Sequence, residues 1–152
     1  MMQRIRKAQE NNEGGFTLIE LLVVMIIIGI LAAIAIPAFL NQKKKAKETS
    51  AKADVSTIGK EVATYYVDGS GTLTLTGTAG TPNTWTLADG TAATSFSTTG
   101  NLSKGNSVSG TALFSATTQK FCVAVKTEDN TSFKYTASAG LNPGACAAAD
   151  IA

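Results

Sequence analysis

The chain has 152 residues, a formal net charge of +2 and no histidine. This length gives room for one modest domain plus an appendage, and so small a net charge indicates no specific nucleic-acid partner. The absence of histidine removes the commonest general base and the commonest zinc ligand. No paired acid and base takes its place. The composition therefore predicts a protein that is not an enzyme and that uses neither a metal nor a cofactor.

Hydrophobic residues make up 44 % of the chain, and they are concentrated in one segment near its start. Between residues 16 and 40 only Thr17, Glu20, Gly29 and Pro37 are not plainly apolar. These 25 positions form about 37 Å of helix, enough to cross a hydrocarbon core of roughly 30 Å. The segment is therefore predicted to be a transmembrane helix.

Two ordinary alternatives fit this segment less well. A secretory signal peptide would use the basic residues Arg4, Arg6 and Lys7 and a cleavage site near Ala33 to Ala35. Its apolar region would usually be only about 7–15 residues long. A plain membrane anchor fits the length and leaves Glu20 unexplained.

Glu20 is the feature that separates these alternatives from a third. A carboxylate in an apolar span is disfavoured by up to roughly 3 kcal/mol, so it is a functional residue by default. No lysine or arginine lies within the span. A cut before Phe16 would create an α-ammonium four residues from Glu20, on the same helix face. The charge would then be neutralised within one chain or by a neighbouring chain.

The string from Gly14 to Val24, GGFTLIELLVV, resembles the class III signal sequence of type IV prepilins. The resemblance covers roughly residues 4–66. It implies that residues 1–15 are a leader, that a prepilin peptidase cuts between Gly15 and Phe16, and that Phe16 is N-methylated. It also implies that Glu20 and Thr17 act in assembly. Gly29 and Pro37 weaken a helix, and the resemblance implies that the helix between them melts in the filament.

The resemblance also implies the location and the partners of the protein. The head domain would lie outside the cytoplasmic membrane and later in an extracellular pilus, a helical homopolymer of this chain. The other partners would be the assembly machinery, with a cytoplasmic ATPase and an inner-membrane platform protein. The lysines from Lys43 to Lys52 favour the opposite orientation by the positive-inside rule. We nevertheless expect the head outside, because the leader resembles one that is cleaved from the cytoplasmic side and the cysteines suit an oxidising exterior.

An amphipathic continuation of the helix is predicted for residues 41–67. Val55, Ile58, Val62 and Tyr65 recur on one helix face, and Asp68 to Gly71 end the helix. Residues 68–152 are rich in threonine and glycine and are predicted to form a β head. The expected fold is thus α+β: a long helix packed through its C-terminal half on a small antiparallel sheet, as in pilins.

The head contains several predicted strands. Threonine and leucine alternate over residues 72–76, which predicts a strand, and Trp85 to Leu87 precede a turn. Residues 121–126 and 132–138 are predicted to form a hairpin. Phe121, Val123 and Val125 are expected on one face of the first hairpin strand, with Phe133, Tyr135 and Ala137 on one face of the second. Residues 142–144 are predicted to form a turn.

Cys122 and Cys146 are the only cysteines of the chain. In an exported domain a disulfide between them is the natural expectation, and the alternative is two separate buried thiols. A loop of this size would stabilise the head by roughly 3–4 kcal/mol.

Three functions remain open at this point. The first is the major pilin of a type IV pilus, which the resemblance favours. The second is a pseudopilin of type II secretion or competence systems, or a minor pilin, whose N-terminal half would look the same. The third is a membrane-anchored adhesin. Major pseudopilins tend to carry a calcium-binding loop, and Glu128 to Asn130 supply only a fragment of one.

Overall fold

The computed structural model describes residues 15–78, 83–90, 96–110 and 112–152. One long helix, α1 (Leu18–Asp68), precedes the strands. The strands in these residues are β1 (Leu73–Thr78), β2 (Thr84–Asp89), β3 (Ser97–Asn101), β4 (Ser107–Val108), β5 (Leu113–Ser115), β6 (Lys120–Lys126), β7 (Ser132–Thr136) and β8 (Gly140–Pro143). The chain divides into two compact units, residues 1–42 and residues 43–152, and α1 contributes to both. Of the predicted leader, residues 1–15, the structure describes only Gly15.

The helix begins two residues after Phe16 and ends two residues after Tyr66, close to the predicted bounds. It continues through Gly29 and Pro37 without interruption. Its C-terminal end is closed by the Gly69 amide, which donates to the Tyr65 carbonyl at 2.7 Å. In the second unit α1 carries a stripe of buried positions: Ala51, Val55, Ile58, Gly59, Val62 and Tyr66.

The predicted stripe is confirmed at Val55, Ile58 and Val62, and Tyr65 packs against the same core at its edge. Tyr66 is 7 % exposed and belongs to the core, whereas Tyr65 is only half-buried. A helix advances by 100° per residue, so position 66 lies nearer than position 65 to the centre of a stripe that includes residues 55 and 62.

Two antiparallel sheets cover this stripe. The first has the order β1-β2-β3, and the second has the order β4-β6-β7-β8, with β5 also paired to β6. The buried side chains that meet the helix stripe include Leu73, Trp85, Leu87, Phe121, Val123 and Val125. The α+β architecture of a long helix packed on antiparallel sheets is confirmed.

The hairpin of β6 and β7 is present, with Val123 opposite Tyr135 and Val125 opposite Phe133. Both faces of β6 are buried from Phe121 to Val125. The prediction that Ala137 continues the core face of the second strand is wrong. β7 ends at Thr136, and Ala137 is exposed in the turn that reaches Gly140, which has a φ of 66°.

The predicted disulfide is confirmed: Cys122 and Cys146 are bonded, with their Cα atoms 5.7 Å apart. The predicted turn at residues 142–144 is wrong in its first two positions, because Asn142 and Pro143 belong to the edge strand β8. A proline is tolerated there because its missing N–H would face away from the sheet. The chain turns only at Gly144, with a φ of 106°.

Polar contacts attach the loops of the head to α1. The Asp54 carboxylate accepts hydrogen bonds from the Ser103 amide at 2.9 Å and from Asn106 Nδ2 at 2.7 Å. Near the start of the second unit, Lys47 Nζ lies 3.1 Å from Glu128 and 3.2 Å from Asp129. These two carboxylates raise the pKa of Lys47. The loop that resembled a fragment of a calcium site thus uses both of its acids to bind a lysine of α1.

Gly59 of α1 packs against the side chain of Tyr135 on β7. A Cβ at this position would overlap the Tyr135 ring. We expect Gly59→Ala to lower the free energy of unfolding by about 1 kcal/mol or more, because the cost of overpacking exceeds the gain in helix propensity. Urea denaturation of the chain in detergent micelles measures this loss. In a Tyr135→Leu background the same change should cost less, and an equal cost in both backgrounds would contradict this packing.

Candidate functional site

The candidate site is the start of α1, where Thr17 and Glu20 bind each other. Glu20 Oε2 accepts hydrogen bonds from the Thr17 amide at 3.0 Å and from Thr17 Oγ1 at 2.8 Å. In return, the Glu20 amide donates to Thr17 Oγ1 at 3.3 Å. This reciprocal pair is a capping box, with Thr17 as the N-cap residue and Glu20 at the third helical position. It satisfies amides that would otherwise lack partners at the helix start.

The capping box adds hydrogen-bond donors to the predicted partner of Glu20, the new α-ammonium at Phe16. The carboxylate already has hydrogen-bond donors within its own chain, and it lies at the end of α1 where the helix dipole favours a negative charge. Among the described residues, only Thr17 donates to this carboxylate. Phe16 precedes the box and is 90 % exposed. The predicted pairing of Glu20 with the amine of Phe16 remains a prediction.

The capping box was missed in the sequence, although its signal was present. Thr-x-x-Glu directly before an apolar run is the pattern of a helix N-terminus. The prediction above rests on Glu20 as a charge within an apolar span and not on this pattern. Asp54 was also missed, and no pattern in the sequence indicates that its carboxylate binds a loop 49 residues away.

The helix surface that follows the box is apolar on all sides. Every large hydrophobic side chain from Leu18 to Leu40 is exposed, from Val23 at 46 % to Leu18 at 82 %. One window of α1 has a mean hydropathy of 3.0 and is long and apolar enough to cross a membrane. A helix that is hydrophobic all round requires an apolar environment, which is a membrane or other protein.

The remaining predicted site residues lie along the same segment. Gly14 falls outside the described residues, and Gly15 is exposed and precedes the helix. Gly29 and Pro37 lie within α1, and a Cβ at Gly29 would contact no atom within 4 Å. The cleavage between Gly15 and Phe16, the methylation of Phe16 and the melting of the helix between Gly29 and Pro37 remain predictions.

The comparison with known proteins places this segment in a family. Residues 11–36 match the family model described as the prokaryotic N-terminal methylation motif. The type II secretion system core protein G of Pseudomonas aeruginosa is 42 % identical over 60 residues, which cover 40 % of this chain and 42 % of that protein. The N-terminal segment of the chain is thus similar to those of type II secretion pseudopilins and type IV pilins.

Other relatives of this pilin-like chain are named as pilins. The type IV major pilin protein PilA of Myxococcus xanthus is 46 % identical over 55 residues, 36 % of this chain and 24 % of that protein. The type IV wide pilus major component PilA4 of Thermus thermophilus is 46 % identical over 57 residues, 38 % of this chain and 44 % of that protein. The matched segment therefore spans less than half the length of each of these relatives. No solved structure matches the chain.

The capping box of this pilin-like chain can be tested at Thr17. Thr17→Val removes the hydroxyl that both accepts from the Glu20 amide and donates to its carboxylate, at a cost of about 1 kcal/mol. We expect faster amide hydrogen exchange at residues 19–21 of the chain in detergent micelles. Thr17→Ser is the matched control and should retain the protection. Unchanged exchange in Thr17→Val would show that the box does not hold the first turn.

Proposed function

We propose that this chain is a filament subunit. A prepilin peptidase cleaves it between Gly15 and Phe16, Phe16 is N-methylated, and the mature chain polymerises through the apolar part of α1. The observation that carries the proposal is the apolar surface from Leu18 to Leu40, exposed on all sides, directly after a capped acid within a methylation motif.

The apolar surface accounts for both stages of this life cycle. Before assembly the segment lies in the cytoplasmic membrane, where hydrocarbon surrounds it. In the filament, copies of the same segment surround it instead, so the exposed side chains remain out of water throughout. Extraction from the membrane requires energy, which a cytoplasmic ATPase supplies through the inner-membrane platform protein.

Glu20 selects which copies may join. The carboxylate is disfavoured in hydrocarbon, and its partner within the chain is a neutral hydroxyl and an amide. The α-ammonium at Phe16 of a neighbouring mature subunit adds a positive charge, which a carboxylate in a medium of low dielectric binds more strongly. Methylation leaves that amine protonated. A chain that still carries its leader lacks the charge and is excluded.

The head lies outside the membrane and then on the filament surface. Its disulfide suits an oxidising compartment, and it ties β6 to the segment after β8. The C-terminal segment is further held by Lys134, whose Nζ lies 2.6 Å from Asp150. This ion pair lowers the pKa of Asp150.

Within this class we propose the major pilin of a surface pilus. The pair of bonded cysteines supports it, as does the loop at Glu128 and Asp129, which binds Lys47. A type II secretion pseudopilin is the second candidate, favoured by relatives with that name in Pseudomonas aeruginosa and Dickeya chrysanthemi. Shearing of cells distinguishes them, since a major pilin dominates the long filaments released from the surface.

The proposed function is tested by the mass of the mature N-terminus. Protein purified from its host should begin at Phe16 and carry one methyl group on its amine. A mature chain that begins elsewhere, or that retains residues 1–15, would overturn the proposal. A signal peptide cut after Ala35 would be recognised by the same measurement.

The charge pairing is tested by Glu20→Ala. We expect this variant to be cleaved normally and to yield at least about tenfold less filament, the equivalent of about 1.4 kcal/mol per contact. Sheared filament is quantified, and mass spectrometry verifies cleavage. Glu48→Ala is the matched control, because Glu48 lies on α1 beyond the apolar segment. Wild-type amounts of filament from Glu20→Ala would refute the pairing.

A further inference from the structure

A groove of about 650 Å³ lies between the last turns of α1 and the first sheet. Its walls include Glu61, Tyr65 and Asp68 of the helix and Asp89 and Phe96 of the sheet region. Positions 61, 65 and 68 are spaced by four and three residues, so they share one helix face. This face is distinct from the buried stripe.

The aromatic wall of the groove is held in place. Tyr65 Oη donates to Asp89 Oδ2 at 2.6 Å and accepts from the Gly71 amide at 3.0 Å. The bond to Asp89 raises the pKa of Tyr65. The Tyr65 and Phe96 rings lie 4.9 Å apart. These contacts orient the Tyr65 and Phe96 rings along one wall of the groove.

The groove carries negative charge that its own chain does not neutralise. In the described part of the chain, neither Glu61 nor Asp68 forms an ion pair or accepts a side-chain hydrogen bond. Asp89, on the opposite wall, is bound to Tyr65. A groove with carboxylates on both walls and aromatic rings between them suits a cationic side chain.

A matching set of cations lies on the same helix. Lys43, Lys44 and Lys45 are exposed, and within the described ranges none of them forms an ion pair. Other lysines of this part of α1 are engaged: Lys47 binds Glu128 and Asp129, and Lys52 Nζ lies 4.8 Å above the centre of the Phe133 ring. We call residues 43–45 the lysine cluster.

The lysine cluster cannot reach the groove of its own chain. Lys44 precedes Glu61 by 17 residues and Asp68 by 24 residues, which correspond to about 26 Å and 36 Å along a helix. Two parallel copies of α1, displaced along their axes by such a distance, would bring the cluster of one beside the groove of the other. At the shorter displacement, Leu18 of the first copy lies beside residue 35 of the second, so the apolar segments still meet.

We propose that the groove at Glu61 and Asp68 receives the lysine cluster of a second copy of this chain. This inference rests on the proposed function, because a filament of parallel helices supplies the displaced neighbour. Exposed ion pairs are individually weak, so the contact sets the axial register between subunits more than it adds affinity. It recurs once per subunit, and salt weakens it.

Charge reversal tests the contact in the full chain, expressed in a host that assembles type IV filaments. Glu61→Lys and Lys44→Glu should each lower the yield of sheared filament several-fold, and the double variant should restore it, because these two positions face each other at the shorter displacement. Lys104→Glu, the reversal of a base outside both surfaces, is the control and should leave the yield unchanged. Lysine and glutamate have similar helix propensities, so both reversals should retain the helix.

The outcomes separate the inference from the function on which it rests. If the wild-type chain is neither cut at Phe16 nor polymerised, the proposed function fails. If the wild-type chain forms filaments and the single reversals assemble as well as it does, or the double variant assembles no better than the singles, only the inference fails.

Crosslinking gives a second measurement that does not depend on yield. In a Lys44→Cys, Glu61→Cys variant the two new thiols lie about 26 Å apart within one chain, and the natural cysteines are bonded to each other. A short bis-maleimide reagent should therefore link only different subunits and produce a ladder of multimers from assembled filaments. Each single variant, and a Lys104→Cys, Glu61→Cys control, should give none. A ladder absent from the double variant would overturn the contact.

Discussion

The apolar surface of the first part of α1 is the constraint on which the rest of this molecule depends. Side chains on every side of the helix between Leu18 and Leu40 are exposed, and water around them is unfavourable. In the function that we propose, lipid covers this surface first, and copies of the same segment cover it in the filament. Membrane insertion and polymerisation are thus two solutions to one physical problem, and both need a helix without a polar face.

Such a surface provides affinity but does not fix how two helices align, because one apolar helix can pack on another in many axial registers. Polar groups at defined positions supply what hydrophobic burial lacks. Glu20 stands at the first turn and accepts a hydrogen bond from Thr17, and we propose that it distinguishes a neighbour with a free amine from one without. The lysine cluster and the acidic groove stand further along the same helix. In the filament that we propose, these two contacts together would fix the axial register between neighbouring subunits.

The head has a different problem, which is to be stable with little core. Its buried cluster is built from one face of α1 and two small sheets, and many of its strand residues are threonine or serine. A disulfide between Cys122 and Cys146 compensates by restricting the unfolded chain. Two residues of α1 hold loops of the head: Asp54 binds the loop at Ser103, and Lys47 binds the loop at Glu128. The C-terminal part of the helix therefore organises the head.

The sequence alone determined the helix, its apolar half, the hairpin of β6 and β7 and the motif at Phe16 and Glu20, because these follow from local pattern and composition. Only the tertiary structure decided which tyrosine enters the core, where the strand before Ala137 ends, and that Asn142 and Pro143 pair at a sheet edge. It also placed Asp89 against Tyr65 and Glu128 against Lys47. Such contacts join residues far apart in the chain, and no local preference encodes them.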